Sequence, residues 1–270
     1  MHKKKLVVKK FHLFILAIII LATTACQLKL KQQGTDGQAA TVEVKRYDRL
    51  ESRYLTTGDF SALQQMNTDY PKETRTLIED VLQIGEANDP EINSKLLKFY
   101  QDTTLQTIIA DAEQQYANMN DVNSQLTTAM KRLKKMRPDI QTPSVYAQIG
   151  ALGQSIIIGN GSIGISLDKY LGKDYPPYLR YYTPQQRQQM TRESIVPDCM
   201  SFYLLSLYPL KDYNRRTQYE RDRHMGKIMW AVNRLLDRKA FSTKFTAIVD
   251  RYAKMNPKMS VRDILESDEI

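Results

Sequence analysis

The sequence predicts an α+β fold: one predominantly helical domain over residues 42–270 with a small central antiparallel sheet or hairpin. Residues 91–137 contain no glycine or proline, and their apolar residues recur at three- and four-residue spacing, which indicates helices. Six of the eleven glycines lie between residues 150 and 172, among short apolar runs that indicate strands. Helical spacing then returns in four segments: 184–208, 214–237, 241–254 and 260–267.

The first 25 residues have the three parts of a secretory signal peptide. Five lysines precede an apolar run from Leu13 to Ala22, and small residues follow. This run would rise about 15 Å as a helix, half of a ~30 Å hydrocarbon core, so a permanent membrane span is disfavoured. Cys26 then stands as in a bacterial lipobox, although Thr23 replaces the usual leucine. We therefore expect lipidation of Cys26; the alternative is an ordinary signal with a chance cysteine.

Residues 26–41 are predicted to form a flexible tether between the acylated cysteine and the folded domain. They have few apolar residues and no period, and such a coil spans roughly 20 Å. Two or more acyl chains anchor a protein stably in a membrane. Because acylated Cys26 cannot form a disulfide, Cys199 is left alone in an apolar stretch, where we expect a small core residue.

The net charge of +9 invites a nucleic-acid interpretation, but the distribution of the charges removes its support. All five basic residues of the first 25 are lysines that leave with the signal. The mature chain then keeps 34 of the 39 basic residues against 30 acidic ones, a charge of +4. We expect no nucleic-acid partner.

Local signals predict the order of elements before the glycine-rich segment. Residues 41–50 alternate apolar and polar side chains, which predicts a short strand. Asp59 predicts a helix N-cap, Pro71 a first helical turn and Gly85 a helix end. Two or three helices are expected between residues 91 and 137. The last of them carries an apolar stripe for packing: Val122, Leu126, Met130, Leu133 and Met136.

The segment from Gly159 to Gly164 matches the pattern G-x-G-x-x-G and has two interpretations. A dinucleotide site requires a strand before the pattern and a helix opening within it. Here strand-like alternation continues to Asp168 instead. Asn-Gly between two apolar runs is typical of a type I′ hairpin. We therefore predict a hairpin and no nucleotide cofactor.

The mature chain has too few histidines for most histidine-dependent catalytic sites. His2 and His12 leave with the signal, so only His224 remains for a zinc site or a Ser-His-Asp triad. Neither an H-E-x-x-H nor a G-x-S-x-G motif is present. His224 lies in a basic helix, where we expect it to be solvated, and we expect no metal site.

Two other groups of charged residues are candidates for a functional site. Four carboxylates near many tyrosines could form a glycosidase-like pair: Asp168, Asp174, Glu193 and Asp198. Basic residues crowd a helix end near residues 131–137 and a second helix near 215–227. These are expected to be solvated helix faces; the alternative is a patch for anionic lipid head groups.

Residues 163–198 resemble the central signature of the gliding-motility lipoprotein B family. The matching elements are Leu167–Gly172 (LDKYLG), Asp174-Tyr175-Pro176 with Tyr178, and Ile195–Asp198 (IVPD). Arg46–Leu50 (RYDRL) is similar to the family's opening R-x-D element. The resemblance covers residues 42–230 loosely, and the lipoprotein character of the family agrees with Cys26.

The resemblance implies a lipid-anchored, non-enzymatic protein of the bacterial envelope, associated with motility or secretion machinery. Its expected partners are the membrane, through the acyl chains, and an envelope protein or glycan. Lys29 and Lys31 stand where surface-displayed lipoproteins of gliding bacteria carry acidic residues, which favours the outer membrane facing the periplasm. The alternative is a periplasmic hydrolase acting on glycan or peptide through the four carboxylates.

The resemblance also raises the hypothesis of a degenerate zincin-like scaffold. The helix after Pro197 would then stand where zinc proteases carry their metal-binding helix. Here it reads Asp198-Cys199-Met200-Ser201-Phe202, without two histidines, so the hypothesis predicts a scaffold that has lost its metal.

A tyrosine-rich segment within the signature is the candidate surface for contact with a partner. Tyrosine and arginine are enriched at protein interfaces. Tyr-Pro stretches also often wrap a core, and this alternative stays open. The candidate residues are Tyr170, Asp174, Tyr175, Tyr178, Arg180, Tyr181 and Tyr182.

Overall fold

The computed structural model describes residues 41–159 and 161–267. The predicted signal peptide, Cys26 and nearly all of the tether lie outside the described residues. Within the described part, none of the helices is both long and apolar enough to cross a membrane. The described residues share one hydrophobic core, and helices surround a small four-stranded sheet, as predicted.

The first predicted strand is much shorter than expected. Strand β1 covers only Val44–Lys45, and helix α1 begins at Tyr47 and continues to Thr57. The prediction of a strand to Leu50 is therefore wrong. Tyr47 is fully buried, and its ring packs edge-on against Tyr146 of the sheet, so a tertiary contact outweighs the local alternation.

The following helices begin where their capping residues predict. Asp59 caps α2 (Phe60–Asp69) by accepting the amide hydrogens of Ser61 and Ala62. Pro71 opens α3 (Pro71–Thr76), which continues into one wide helical turn, Leu77–Val81.

Three helices occupy the glycine-free segment, in agreement with the prediction: α4 (Ile92–Phe99), α5 (Thr103–Gln115) and α6 (Asn120–Met136). Four of the five stripe residues of α6 are buried, and Met136 packs against the core.

The sheet contains the predicted hairpin and extends beyond it. Strands β2 (Ser144–Gln148), β3 (Ile156–Gly159) and β4 (Ser162–Ser166) join β1 in the order β1-β2-β4-β3. β3 and β4 are antiparallel, whereas β2 pairs in parallel with both β1 and β4. The sheet is therefore mixed rather than purely antiparallel. Gly161 has φ +76° and leads into a strand, so the helix that a dinucleotide site needs is missing there.

The predicted helix over 184–208 is interrupted. The signature continues through a 3-10 turn (Leu167–Lys169) and two one-turn helices, α7 (Tyr178–Tyr181) and α8 (Pro184–Arg187). Helix α9 begins only at Ile195 and ends at Leu207, packing on β3 and β4. The intervening backbone is used elsewhere, since the Met190 carbonyl accepts the amide hydrogen of Gly172.

The C-terminal helices follow the sequence closely. They are α10 (Gln218–Leu236), α11 (Lys244–Met255) and α12 (Val261–Glu266). Each begins with a capping box, in which a hydroxyl and a side chain three residues later satisfy each other's backbone amides. The N-caps are Thr217, Thr243 and the predicted Ser260. Cys199 is fully buried in α9, as predicted.

Candidate functional site

Two buried carboxylates hold the loop between β2 and β3, residues 149–155. Glu51 on α1 accepts the amide hydrogen of Ile149 at 2.8 Å. Asp168, just after β4, accepts those of Gly150 at 2.7 Å and Leu152 at 2.5 Å. Both side chains are fully buried. Asp168 thus fixes the loop at two amides, and Glu51 fixes it at a third.

The loop needs this support because its backbone is strained. Ala151 and Leu152 have φ values of +49° and +62°, in the left-handed region that residues with a Cβ avoid. Gly150 is required by close packing, since a Cβ there would lie 2.7 Å from the Ser166 hydroxyl oxygen. Strain of this kind persists only where the surroundings enforce it.

Signature side chains hold Leu152 from its other side. The Leu152 carbonyl accepts hydrogen bonds from the Tyr182 hydroxyl at 2.7 Å and from Lys169 Nζ at 3.3 Å. Lys169 also lies over the Tyr182 ring, 4.3 Å from its centroid. Both backbone polar atoms of Leu152 are thus bound by residues of the 163–198 signature.

Burial raises the pKa values of both carboxyl groups, and neighbouring carboxylates raise that of Glu51 further. Desolvation raises the pKa of Glu51 well above its ordinary range, and the nearby Asp168 and Asp48 raise it further. Desolvation also raises the pKa of Asp168, against the lowering effect of its backbone hydrogen bonds. The Oε1 atom of Glu51 has no hydrogen-bond partner among the described residues. Asp48 is charge-compensated by Arg46 of the R-x-D element, at 2.6 Å.

A cavity of about 410 Å³ opens beside the strained loop. Its wall combines Ala151 and Leu152 of the loop with Tyr181 and Tyr182 of the signature. The remaining wall comes from the start of α5 and its cap: Asp102, Thr104, Leu105 and Ile108. Tyr181 forms the outer rim, and its side chain is 61% exposed. The strained loop and its rim form a surface with apolar and hydroxyl groups, which we call the signature groove.

Of the seven predicted contact residues, two are buried and five lie at or near the surface. Tyr170 and Tyr178 are buried, so their prediction as surface contacts is wrong. The Tyr170 hydroxyl donates to Asp198 at 2.9 Å, and the Tyr178 hydroxyl donates to the Asp168 carbonyl.

The other five contact candidates remain at or near the surface. Asp174, Arg180 and Tyr181 are exposed, and Tyr182 is half-buried. Tyr175 is half-buried and donates to Asp111 at 2.7 Å. Of these five, Tyr181 and Tyr182 line the groove.

The four predicted carboxylates have different environments. Asp168 binds the loop amides with both oxygens, and Asp174 and Glu193 are exposed. Asp198 lies in the first turn of α9, where burial raises its pKa to about 6. The Tyr170 hydroxyl opposes this rise by donating to it.

His224 is buried rather than solvated, which corrects the expectation from its basic helix. Its Nε2 lies 2.9 Å from the Tyr208 carbonyl oxygen, and burial lowers its pKa. Among the described residues, no three histidine, cysteine or carboxylate side chains form a group that could hold a metal ion. The zincin-like scaffold remains a hypothesis.

Sequence reasoning missed Glu51. It lies directly after the segment 41–50 that was expected to form a strand, and three residues after Asp48 of the R-x-D element. A glutamate between Leu50 and Ser52, with arginines on either side of them, gives no sequence signal of burial. Only the pairing of α1 with the sheet places it under the loop.

A family model described as gliding motility protein GldB matches residues 29–247. The chain belongs to this family. The match includes the R-x-D element, both loop-holding carboxylates and the whole signature of this GldB family member. No curated protein and no solved structure matches the chain. Membership identifies a gliding-motility lipoprotein of the cell envelope, anchored to a membrane.

Proposed function

We propose that this GldB family member is a non-enzymatic binding component of an envelope assembly that serves motility or secretion. The observation that carries the proposal is the set of hydrogen bonds to the backbone of Leu152. Asp168, Lys169 and Tyr182 all bind the backbone of one strained loop, which borders a groove that carries the exposed ring of Tyr181. Signature residues used in this way build a rigid surface, and a preorganised surface binds a partner at lower entropic cost.

The proposed protein is anchored by acyl chains on Cys26, including a palmitate-type chain, after removal of residues 1–25. It faces the periplasm from the outer membrane, and residues 26–41 keep the domain close to the bilayer. Detergent partitioning tests the anchor alone. The wild-type chain should enter the detergent phase, and Cys26→Ala should move it to the aqueous phase. A wild-type chain that stays in the aqueous phase would contradict lipid anchoring.

The partner is proposed to be an envelope protein or glycan that contacts the signature groove. Chemical crosslinking in native cells should recover a defined adduct of the wild-type protein. Tyr181→Ala should lose this adduct because it removes an exposed ring from the groove. Phe60→Ala is the matched control, since Phe60 is 76% exposed on α2 and does not line the groove. Equal loss in both variants, or no adduct in any of them, would overturn the proposal.

A hydrolase acting on glycan or peptide is the second candidate, favoured by one observation. A carboxyl group whose pKa is about 6, such as Asp198, can serve as a general acid near neutral pH. Purified protein would then degrade peptidoglycan or a glycan panel, and Asp198→Asn would abolish the activity. Degradation that Asp198→Asn and Asp174→Ala both leave unchanged would remove these carboxylates from the mechanism.

A further inference from the structure

A second cavity, of about 530 Å³, opens between the loop after α9, the N-terminal half of α10 and helix α12. Five basic and two acidic side chains line it. The basic ones are Arg137, Lys211, Arg216, Arg223 and Lys227. Members of both basic clusters predicted from the sequence therefore meet in one concave site rather than on flat, solvated helix faces.

Both acidic side chains that line this basic cavity form ion pairs with arginines. Glu220 pairs with Arg216 at 3.0 Å, and Glu266 pairs with Arg262 at 2.9 Å. Among the described residues, no carboxylate forms an ion pair with Arg223. The cavity therefore keeps an excess of positive charge, which its concave shape concentrates.

A buried hydroxyl group in the wall gives independent evidence for a ligand. The Tyr208 side chain is 7% exposed, and its hydroxyl donates a hydrogen bond to no described residue, while the Arg137 side chain interacts with its oxygen. The Arg137 guanidinium lies 5.5 Å from the centroid of its ring. Buried polar groups in folded proteins almost always have a partner, so a hydroxyl hydrogen without an acceptor in a cavity wall marks a position that a ligand oxygen can satisfy.

We propose that the basic cavity binds the phosphate group of a phosphorylated ligand. Guanidinium groups such as that of Arg223 match the geometry of phosphate oxygens, and the Tyr208 hydroxyl supplies a further donor. The volume exceeds what one phosphate fills and lies within the roughly 300–1,000 Å³ that small-molecule sites occupy. Leu207 and Leu210 in the wall accommodate the less polar remainder of the ligand. This site stands independently of the signature groove.

His224 provides a built-in reporter because it lines the same cavity. A nearby anion favours the charged form of an imidazole and raises its pKa. The full chain, in an uncharged detergent without phosphate, should show this rise by NMR when inorganic phosphate or glycerol phosphate is added. His224→Gln assigns the reporter signal among the three histidines. No rise in the pKa of His224 with millimolar phosphate would overturn the proposal.

Single substitutions distinguish phosphate binding in the cavity from nonspecific electrostatic binding to the surface. Tyr208→Phe should weaken phosphate binding about fivefold and Arg223→Gln about tenfold, as expected for one neutral and one charge-assisted hydrogen bond. Arg215→Gln removes the same charge from an exposed position outside the cavity and should change little. Equal weakening by Arg215→Gln and Arg223→Gln would contradict a specific site.

The source of the phosphate is distinguished by a lipid arm of the same titration. A short-chain phosphatidylglycerol that binds more tightly than glycerol phosphate, and is weakened by Tyr208→Phe, indicates a lipid head group. Equal affinity for the two probes indicates a soluble phosphate ester. Phosphatidylglycerol binding that Tyr208→Phe leaves unchanged would overturn the proposal, because it would reflect attraction to the micelle surface.

Discussion

Glu51 and Asp168 lie far apart in the sequence, yet their buried carboxyl groups accept hydrogen bonds from the adjacent amides of Ile149 and Gly150. One carboxyl comes from helix α1, three residues after Asp48 of the R-x-D element, and the other comes from the central signature. The loop that they hold is left-handed at two consecutive positions. The loop is thus held jointly by helix α1 and by the central signature.

Asp168→Asn should destabilise the protein by about 2–4 kcal/mol. The amide nitrogen of asparagine cannot accept a hydrogen bond, so one loop amide is left buried and unpaired beside a group that repels it. Urea unfolding measures the change. Asp174→Asn is the control, because Asp174 is exposed, and it should stay within about 0.5 kcal/mol. Equal, small effects of the two variants would mean that Asp168 does not hold the loop.

Glu51 should make the stability of the wild-type protein depend on pH. Its pKa is raised in the folded state, so the folded chain keeps a proton that the unfolded chain loses above about pH 4.5. The stabilisation is fully present below the ordinary pKa and is lost as pH rises through the raised one, on the order of 1.4 kcal/mol per pKa unit.

Glu51→Gln isolates this contribution. The free energy of unfolding of the variant, relative to wild type, should increase as pH rises from the ordinary pKa toward neutrality. Urea titrations at a series of pH values measure the difference. Parallel stability curves for the two proteins would show that Glu51 titrates normally and is not desolvated.

Gly150→Ala should destabilise the protein by about 1–3 kcal/mol, because its Cβ would crowd the Ser166 hydroxyl at 2.7 Å. Shortening the neighbour in the double variant Gly150→Ala/Ser166→Gly removes this contact. Double-mutant cycles by thermal unfolding should then show a favourable coupling between the two substitutions. Strictly additive effects would indicate that the close approach is not what requires glycine.

Cys199 should resist thiol reagents in the folded protein. Its side chain is fully buried, and desolvation raises its pKa well above the ordinary value, so little thiolate is available. In the Cys26→Ala variant, a colorimetric disulfide reagent should react only after urea is added. Fast reaction without urea would contradict the placement of Cys199 in the core.

Short-range signals predicted much of the fold. Asp59 and Ser260 cap helices through contacts within three residues, and the Asn-Gly turn predicts the hairpin that ends in Ser166. These interactions join residues that are close in the sequence, so the residue types at neighbouring positions are enough to predict them. The same is true of the α6 stripe, whose period alone assigns it to packing.

Long-range contacts explain the errors. Tyr47 begins a helix rather than extending a strand because its ring packs under the sheet. The hydroxyl groups of Tyr170 and Tyr178 donate hydrogen bonds to Asp198 and to the Asp168 carbonyl. Because these hydroxyls have acceptors, both rings can be buried at little cost. Spacing along the chain contains no information about such acceptors, so exposed Tyr181 and buried Tyr178 look alike in the sequence.

Site-specific photocrosslinking in living cells tests the central claim most directly. A photoreactive residue at position 181 lies at the rim of the signature groove, whereas one at position 60 is similarly exposed on α2. The proposed binding function predicts one defined envelope adduct from position 181 and none of that size from position 60. The same adducts from both positions, or no adduct from position 181, would contradict a partner at the groove.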